Sequence, residues 1–224
     1  MPELGASSSR ARVLLARVCS KPRGHVVVSG SGREVFSLTL DRMQDLPEPC
    51  VSCIFWELNP ALAAASIARG DPGMDKEAWL SAALLEWGSV GQIGYVDGIP
   101  AGYVTYAPPH LVPRATAFPT APVSADAVML MTARVTAQFA GQGLGRVLIQ
   151  SAAKDVIRRG VRAVEAMCYR VSHDSPKSAA VFPADLLTAV DFKAVRDSRH
   201  YPRLRHPPGD SQPLRREGAA TAVA

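Results

Sequence analysis

The sequence predicts an α/β chain, with a mixed, mostly antiparallel sheet flanked by helices, and three stretches carry that prediction. "QIGYVDGIPAGYVTYAP" reads as two strands joined at Asp97 and Gly98, because a two-residue hairpin turn needs residues that tolerate positive φ at both central positions. "AVMLMTARV" (127–135) is nearly all apolar, the pattern of a central strand covered on both faces. A glycine loop, an amphipathic helix and the strand "VRAVEAMCYR" follow it, which together make a βαβ unit.

The remaining elements follow from local patterns. "EVFSLTL" alternates Val35, Ser37 and Thr39 against Phe36, Leu38 and Leu40, as a first strand would. "MDKEAWLSAALLEWG" is a helix with Asp75 as its cap, Trp79, Ala82, Ala83 and Trp87 at helical spacing, and Gly88 as its stop. In the helix after the glycine loop, Leu148, Ile149, Ala152 and Val156 fall on one side and Arg146, Gln150, Lys154 and Arg158 on the other, until Gly160 ends it. "FPADLLTAVDF" is a short helix, and "KAVRDSRHYPRLRH" is either a closing strand pair or one bent strand, with Pro202 at an edge or bulge. Residues 1–33 mix Ser, Gly and Arg without a sustained period, and 207–224 run through Pro, Gly and Ala. The expected organisation is a disordered basic extension over 1–33, one domain over 34–206 and a disordered tail over 207–224.

Composition narrows the function classes. A chain of 224 residues with 47% hydrophobic content builds one ordinary core. No run approaches the roughly 18 apolar residues of a membrane helix, and no cleavage site follows the short "VLLARVC" run, so neither a span nor a secretion signal is expected. Four irregularly spaced cysteines, Cys19, Cys50, Cys53 and Cys168, do not make a disulfide framework and point to a reducing cytoplasm. Much of the net charge of +5 sits near the ends, in Arg10, Arg12, Arg17, Lys21 and Arg23 and again in Arg203, Arg205, Arg215 and Arg216, which places nucleic-acid binding last among the readings.

The chemistry starts at "TARVTAQFAGQGLGRVLIQ" (132–150). Three alternating glycines let the backbone approach a ligand, and the helix that follows opens on unpaired N–H groups, so an anion is the natural guest and a pyrophosphate fits best. The plainer alternative is that the glycines only permit positive φ at the turn. A Walker loop would place Lys and Ser or Thr after the last glycine, where Arg146 and Val147 stand. A dinucleotide fingerprint needs G-x-G-x-x-G, whereas Gly141, Gly143 and Gly145 alternate, and Glu165 sits mid-strand rather than at a strand end.

In order of elements from Glu34 to His206, the chain resembles the GNAT family of acetyl-coenzyme A dependent N-acetyltransferases. "ARV" followed by "TAQFAGQGLGRVLI" is similar to that family's V-x-P-x-x-R-G-x-G-x-G signature, and "LLTAVDFKAVRDSRHYPRLRH" to its closing helix, "GF" step and final strands. The resemblance implies a parallel strand pair that splays apart, with the pantetheine arm of the cofactor along the gap. It implies cofactor contacts from Val135, Ala140, Gly141, Gln142, Gly143, Leu144, Gly145 and Arg146, and a main-chain N–H at Ala133 for the thioester carbonyl. Ala137 replaces the family's usual Pro, Ala140 its usual Arg or Gln, and Asp191–Phe192 its "GF"; main-chain cradling tolerates all three. Leu187 stands where a tyrosine acid is common, and Met129 stands near the usual acid position on the strand.

Proton transfer therefore falls to other residues. Glu165 and Tyr169 share one face of their strand, with Tyr169 nearer the opening and the better acid, and Glu165 either a base or a paired carboxylate; His173 and Asp174 lie just beyond. "EPCVSCIFWEL" supplies Phe55, Trp56 and Glu57 as acceptor-pocket residues, with Glu57 either binding a cationic amine or salt-bridged. Cys50 and Cys53 lack a second ligand pair for zinc, so no metal is expected. The expected activity is acetyl transfer from acetyl-coenzyme A to a primary amine of a small molecule or protein; the alternative is a coenzyme A binding module without turnover. The edges of the closing strands are the surface on which a homodimer would form.

Overall fold

The computed structural model describes residues 26–28, 32–170 and 180–206. Among these described residues nine strands form one mixed sheet: β1 (Val26–Val28), β2 (Arg33–Ser37), β3 (Gly91–Val96), β4 (Ile99–Ala107), β5 (Ala127–Val135), β6 (Ala163–Tyr169), β7 (Phe182–Pro183), β8 (Lys193–Arg196) and β9 (Arg203–His206). Their spatial order is β1-β2-β3-β4-β5-β6-β9-β8, with β7 laid against β6. Every pairing is antiparallel except β5 with β6 and β6 with β7. The mixed, mostly antiparallel sheet is the one the sequence predicts. Among the described residues, no helix is long and apolar enough to cross a membrane.

The β3–β4 turn holds Asp97 at φ 50° and Gly98 at φ 78°, the two positive values the hairpin requires. The first strand is shorter than predicted. β2 stops at Ser37, and Leu40 opens a 3-10 turn instead, with Val35 and Leu38 buried in place of the expected alternating set. Part of the stretch read as a disordered extension also joins the sheet, since Val27 of β1 pairs with Glu34. Residues 1–25, 29–31 and 207–224, and with them His173 and Asp174, lie outside the described residues. The closing region resolves into two strands, β8 and β9, paired antiparallel.

Helices α1 (Pro60–Arg69) and α2 (Pro72–Glu86) lie on one side of the sheet. The cap of α2 is Asp71, which accepts from the Met74 N–H at 3.2 Å with Pro72 in the first turn. The predicted cap Asp75 sits within the first turn and pairs with Arg69 at 2.8 Å. Helix α1 escaped the sequence reading although Asn59 caps it at 2.9 Å from the Leu62 N–H, Pro60 opens it and Gly70 closes it at φ 84°. Leu80 and Ala83 of α2 pack with Leu38, Trp56, Tyr103, Met129, Met131 and Met167 on this face.

Helices α3 (Leu144–Arg158) and α4 (Ala184–Thr188) cover the other face. Of the predicted stripe of α3, Leu148, Ala152 and Val156 are buried, together with Leu144, against Val104, Tyr106, Val128 and Leu130, while Ile149 is half-buried. Close approach depends on two strand glycines. A Cβ on Gly94 would lie 3.3 Å from both Leu144 Cδ1 and Leu148 Cδ2, and one on Gly102 would lie 2.6 Å from the Arg134 carbonyl oxygen and 3.2 Å from Leu148 Cδ1. Past α4, Asp191 takes φ 67°, the left-handed conformation a glycine would adopt there, and Phe192 beside it is buried. Because the Gly102 contact is with backbone, no rotamer change relieves it. Gly102→Ala is expected to cost about 1–3 kcal/mol of stability by overpacking, read as a lowered midpoint in thermal unfolding.

Candidate functional site

The site begins where two parallel strands part. β5 and β6 pair only at Ala127 with Ala163, Val128 with Val164 and Met129 with Glu165, although both strands continue. Beyond that point β5 stays with β4, across an irregularity that leaves Met131 as an extra residue between the Leu130 and Thr132 pairings. β6 stays with β9 through Ala166 and Met167, and then takes β7 alongside Cys168 and Tyr169. A wedge-shaped gap opens between them. The segment from Ala180 to Pro183 bounds it, since the Ala180 carbonyl accepts from Trp56 Nε1 at 2.7 Å and Thr132 Oγ1 at 3.4 Å, while Phe182 and Pro183 pair with β6.

Register decides which main-chain groups face that gap. The Thr136 N–H donates to the Ala101 carbonyl at 2.9 Å, so by antiparallel alternation Arg134 and Thr132 bond β4, while the N–H groups of Ala133 and Val135 turn to the opposite edge. That edge is the gap. Ala133 lies on β5 and Tyr169 on β6 beyond the last paired residues, Met129 and Glu165, so the two flank the gap on the diverging strands.

The glycine loop lies at the end of β5. A 3-10 turn over Ala137–Phe139 leads into Ala140, Gly141 at φ 75°, Gln142 and Gly143 at φ 78°, all four of the latter exposed. Gly143 caps α3 without a side-chain bond, and buried Leu144 anchors its first turn. A Cβ added at Gly141 or Gly143 would meet nothing within 4 Å, so positive φ, not crowding, demands glycine there. The space over the loop is open. The N–H groups of Leu144, Gly145 and Arg146 have no acceptor within a helix that starts at Leu144, and they carry its positive dipole end.

The opposite face of the sheet carries an aromatic and sulfur cluster. Trp56 stacks on Phe118 at 5.3 Å, Phe55 meets Trp56 edge-on at 4.9 Å, and Phe118 meets Tyr201 edge-on at 5.6 Å. Tyr169 and Met167 pack on this face, whereas Cys168 packs on the other. Arg134 Nη1 donates to the Cys50 sulfur at 3.2 Å. Burial, then hydrogen bonding to Cys50, pushes the Tyr103 phenol well above its ordinary range, and the same thiol bond raises Arg134. Cys50, Cys53 and Cys168 are free thiols, and the described residues hold no metal-binding group.

Two sequence candidates are committed elsewhere. Glu165 is 0% exposed, with Oε1 on Arg205 at 2.8 Å and Oε2 on Arg203 at 2.9 Å and on the Ser124 N–H at 3.1 Å. Both carboxylate oxygens of Glu165 are thus taken up by donors. Glu57 is 3% exposed and forms a buried ion pair with Lys76, with a further bond from the Trp56 N–H at 3.0 Å, so it presents no charge to a ligand. The sequence reading passed over Arg134, whose side chain sits one residue from Ala133; a lone arginine in an apolar strand was the available signal. Leu187 is 0% exposed, locked in the core beside α3.

No protein-family model matches the chain, and no curated protein matches it. Solved structures do. A ribosomal-protein-S5-alanine acetyltransferase from Vibrio fischeri matches over 84% of this chain and 100% of its own at 12% identity and TM-score 0.51. A structure described as an acetyltransferase matches over 77% and 98% at 18% identity and TM-score 0.51. The PaiA N-acetyltransferase of Thermoplasma acidophilum in complex with coenzyme A matches over 78% and 98% at 9% identity and TM-score 0.49. The chain has the GNAT N-acetyltransferase fold.

Two outcomes follow for this region. Glu165→Leu strips the counter-charge from Arg203 and leaves Arg205 only Asp126, and is expected to cost about 3–5 kcal/mol in urea unfolding, with Glu165→Gln losing less because it keeps acceptor and shape. Burial pushes the Cys168 thiol up to about 12. Its folded value lies above the unfolded one, so the stability it contributes is complete below about pH 8.5 and is lost as pH rises toward 12. Cys168→Ala should flatten that alkaline decline in urea midpoints measured between pH 8 and pH 10.

Proposed function

We propose that the chain is an N-acetyltransferase that uses acetyl-coenzyme A and acts on a primary amine of a small molecule or a protein. The supporting observation is the early end of the β5–β6 ladder beside an open glycine loop, which gives a diphosphate and its attached arm one continuous path. Main-chain donors from Gly141 to Arg146 would hold the pyrophosphate, with Ala140 and Gln142 in the same turn and Val135 turning its N–H toward the arm. Acetyl-coenzyme A, when bound, supplies an activated thioester.

The chain's own groups then have defined tasks. The Ala133 N–H faces the gap, fixed by the β4 register, and would donate a hydrogen bond to the developing oxyanion. Tyr169, on β6 past the end of the ladder and not committed to an ion pair, would protonate the leaving thiolate. Phe55 and Trp56 would wall the acceptor side with Phe118. Glu165 and Glu57 hold the frame and take no part in proton transfer.

The second reading, a coenzyme A binding module without turnover, draws on buried Leu187 at the position where a tyrosine acid is common in the family. Calorimetry with coenzyme A and thiol release from acetyl-coenzyme A with a panel of amines, run on the same preparation, separate the two. Binding with turnover supports the enzyme, binding without turnover on any amine supports the module, and no heat at millimolar ligand ends both. Gly143→Val is expected to weaken coenzyme A at least tenfold. Its stability should fall only by the left-handed strain of about 1–2 kcal/mol, because the added side chain meets no protein atom within 4 Å of its Cβ.

A further inference from the structure

We propose that the acceptor amine carries a carboxylate, which Arg134 binds with Arg114 as the second cation of the same face; this rests on the acetyltransferase reading above. Arg134 is half-buried, and its Cα is the chain neighbour of Ala133, about 3.8 Å away. Its side chain enters the face lined by Cys50 and Tyr103, the residue opposite it on β4. A guanidinium offers five donors in a planar fork matched to a carboxylate. Here, among the described residues, its one hydrogen-bond acceptor is the Cys50 sulfur at 3.2 Å, a weak one.

Three carboxylates of this half of the molecule are already paired. Glu57 is held by Lys76. Glu165 is shared by Arg203 and Arg205, and Asp126 is held by Arg205 at 2.7 Å. Arg114 lies over the Phe55 ring at 4.4 Å, half-buried, and among the described residues no carboxylate pairs with it. One loop ties the two cations together, since Cys50 touches Arg134 and Phe55 carries Arg114. A half-buried guanidinium without a counter-charge is costly unless a ligand provides one.

Such a face repels polyamines and diamines, which bring more positive charge, and favours an amine whose own carboxylate offsets the arginines. The same cations disfavour the ammonium form of that amine, which helps to present a neutral nucleophile without a dedicated carboxylate base. An amino acid oriented with its carboxylate on Arg134 would direct its amine to the carbonyl held at Ala133. Arg134 is thus a specificity-determining residue.

The test titrates the full chain, saturated with coenzyme A, with glycine, β-alanine and γ-aminobutyrate, and with their amides and diamines of matched length. Calorimetry gives affinity, and thiol release from acetyl-coenzyme A gives KM. The expected result is at least tenfold preference for one or more of the amino acids over the matched amide and diamine. Arg134→Gln should erase that preference and Arg134→Lys should weaken it, with coenzyme A affinity unchanged and melting midpoints confirming folded variants. Equal or better performance by amides or diamines overturns the proposal, as does a preference that survives Arg134→Gln. Coenzyme A binding with no response to any of these amines overturns it too, while the cofactor reading stands. Failure of coenzyme A to bind condemns the cofactor reading instead, and the same panel on the unloaded chain then decides the carboxylate preference. Should Arg134→Gln not fold, the acid-against-amide comparison on the unaltered chain remains decisive.

Discussion

The rest of the site depends on a parallel ladder that stops after Met129 and Glu165. Two strands that share neighbours elsewhere are pulled apart because each finds better partners on its far side: β5 follows β4 past the extra residue Met131, and β6 follows β9 and then β7. At the apex, Glu165 binds Arg203 and Arg205, both from β9, while the Ser124 N–H closes the remaining position. A buried charge group of this kind adds little net stability against an apolar equivalent, but it has few satisfactory geometries. It therefore fixes where β9 lies against β6, and with it the place where the gap starts.

The two faces of the sheet divide the work. On one, Gly94 and Gly102 let α3 sit close enough for Leu144 and Leu148 to press on bare backbone, which brings the first turn of α3 level with the end of β5. The glycine loop thus runs from the end of β5 into the first turn of α3. On the other face the helices α1 and α2, with the loop from Cys50 to Phe55, build an aromatic wall bearing two arginines. Cofactor binding as proposed on the first face would use backbone and so be insensitive to side-chain identity. Acceptor binding as proposed on the second would depend on particular side chains, which is where members of one fold diverge.

Local patterns were legible wherever a single stretch fixes its own conformation. Asp97 and Gly98 could only turn a hairpin, the apolar stripe of α3 could only face a core, and Gly141 and Gly143 could only serve a left-handed backbone. Errors arose where two local signals competed. Asp75 looks like a cap, but Asp71 followed by Pro72 is the stronger start, because proline's fixed φ suits the first helical turn. Asn59, Pro60 and Gly70 marked α1 with the same grammar and were passed over, since the helix between them has only a narrow buried side, Ala63 and Ser66.

The sequence by itself determined the hairpin, the central apolar strand, and the glycine loop with its helix at a strand-to-helix junction. Those features depend on residues within a few positions of one another, whose φ, period and burial are set locally. Tertiary structure alone decided that Glu165 meets Arg203 and Arg205 from 38 and 40 residues away, that Glu57 is neutralised by Lys76 from 19 away, and that Arg134 keeps its charge. The physical reason is that a charge is spent or spared by whatever the folded chain brings beside it, and no local pattern encodes that neighbour.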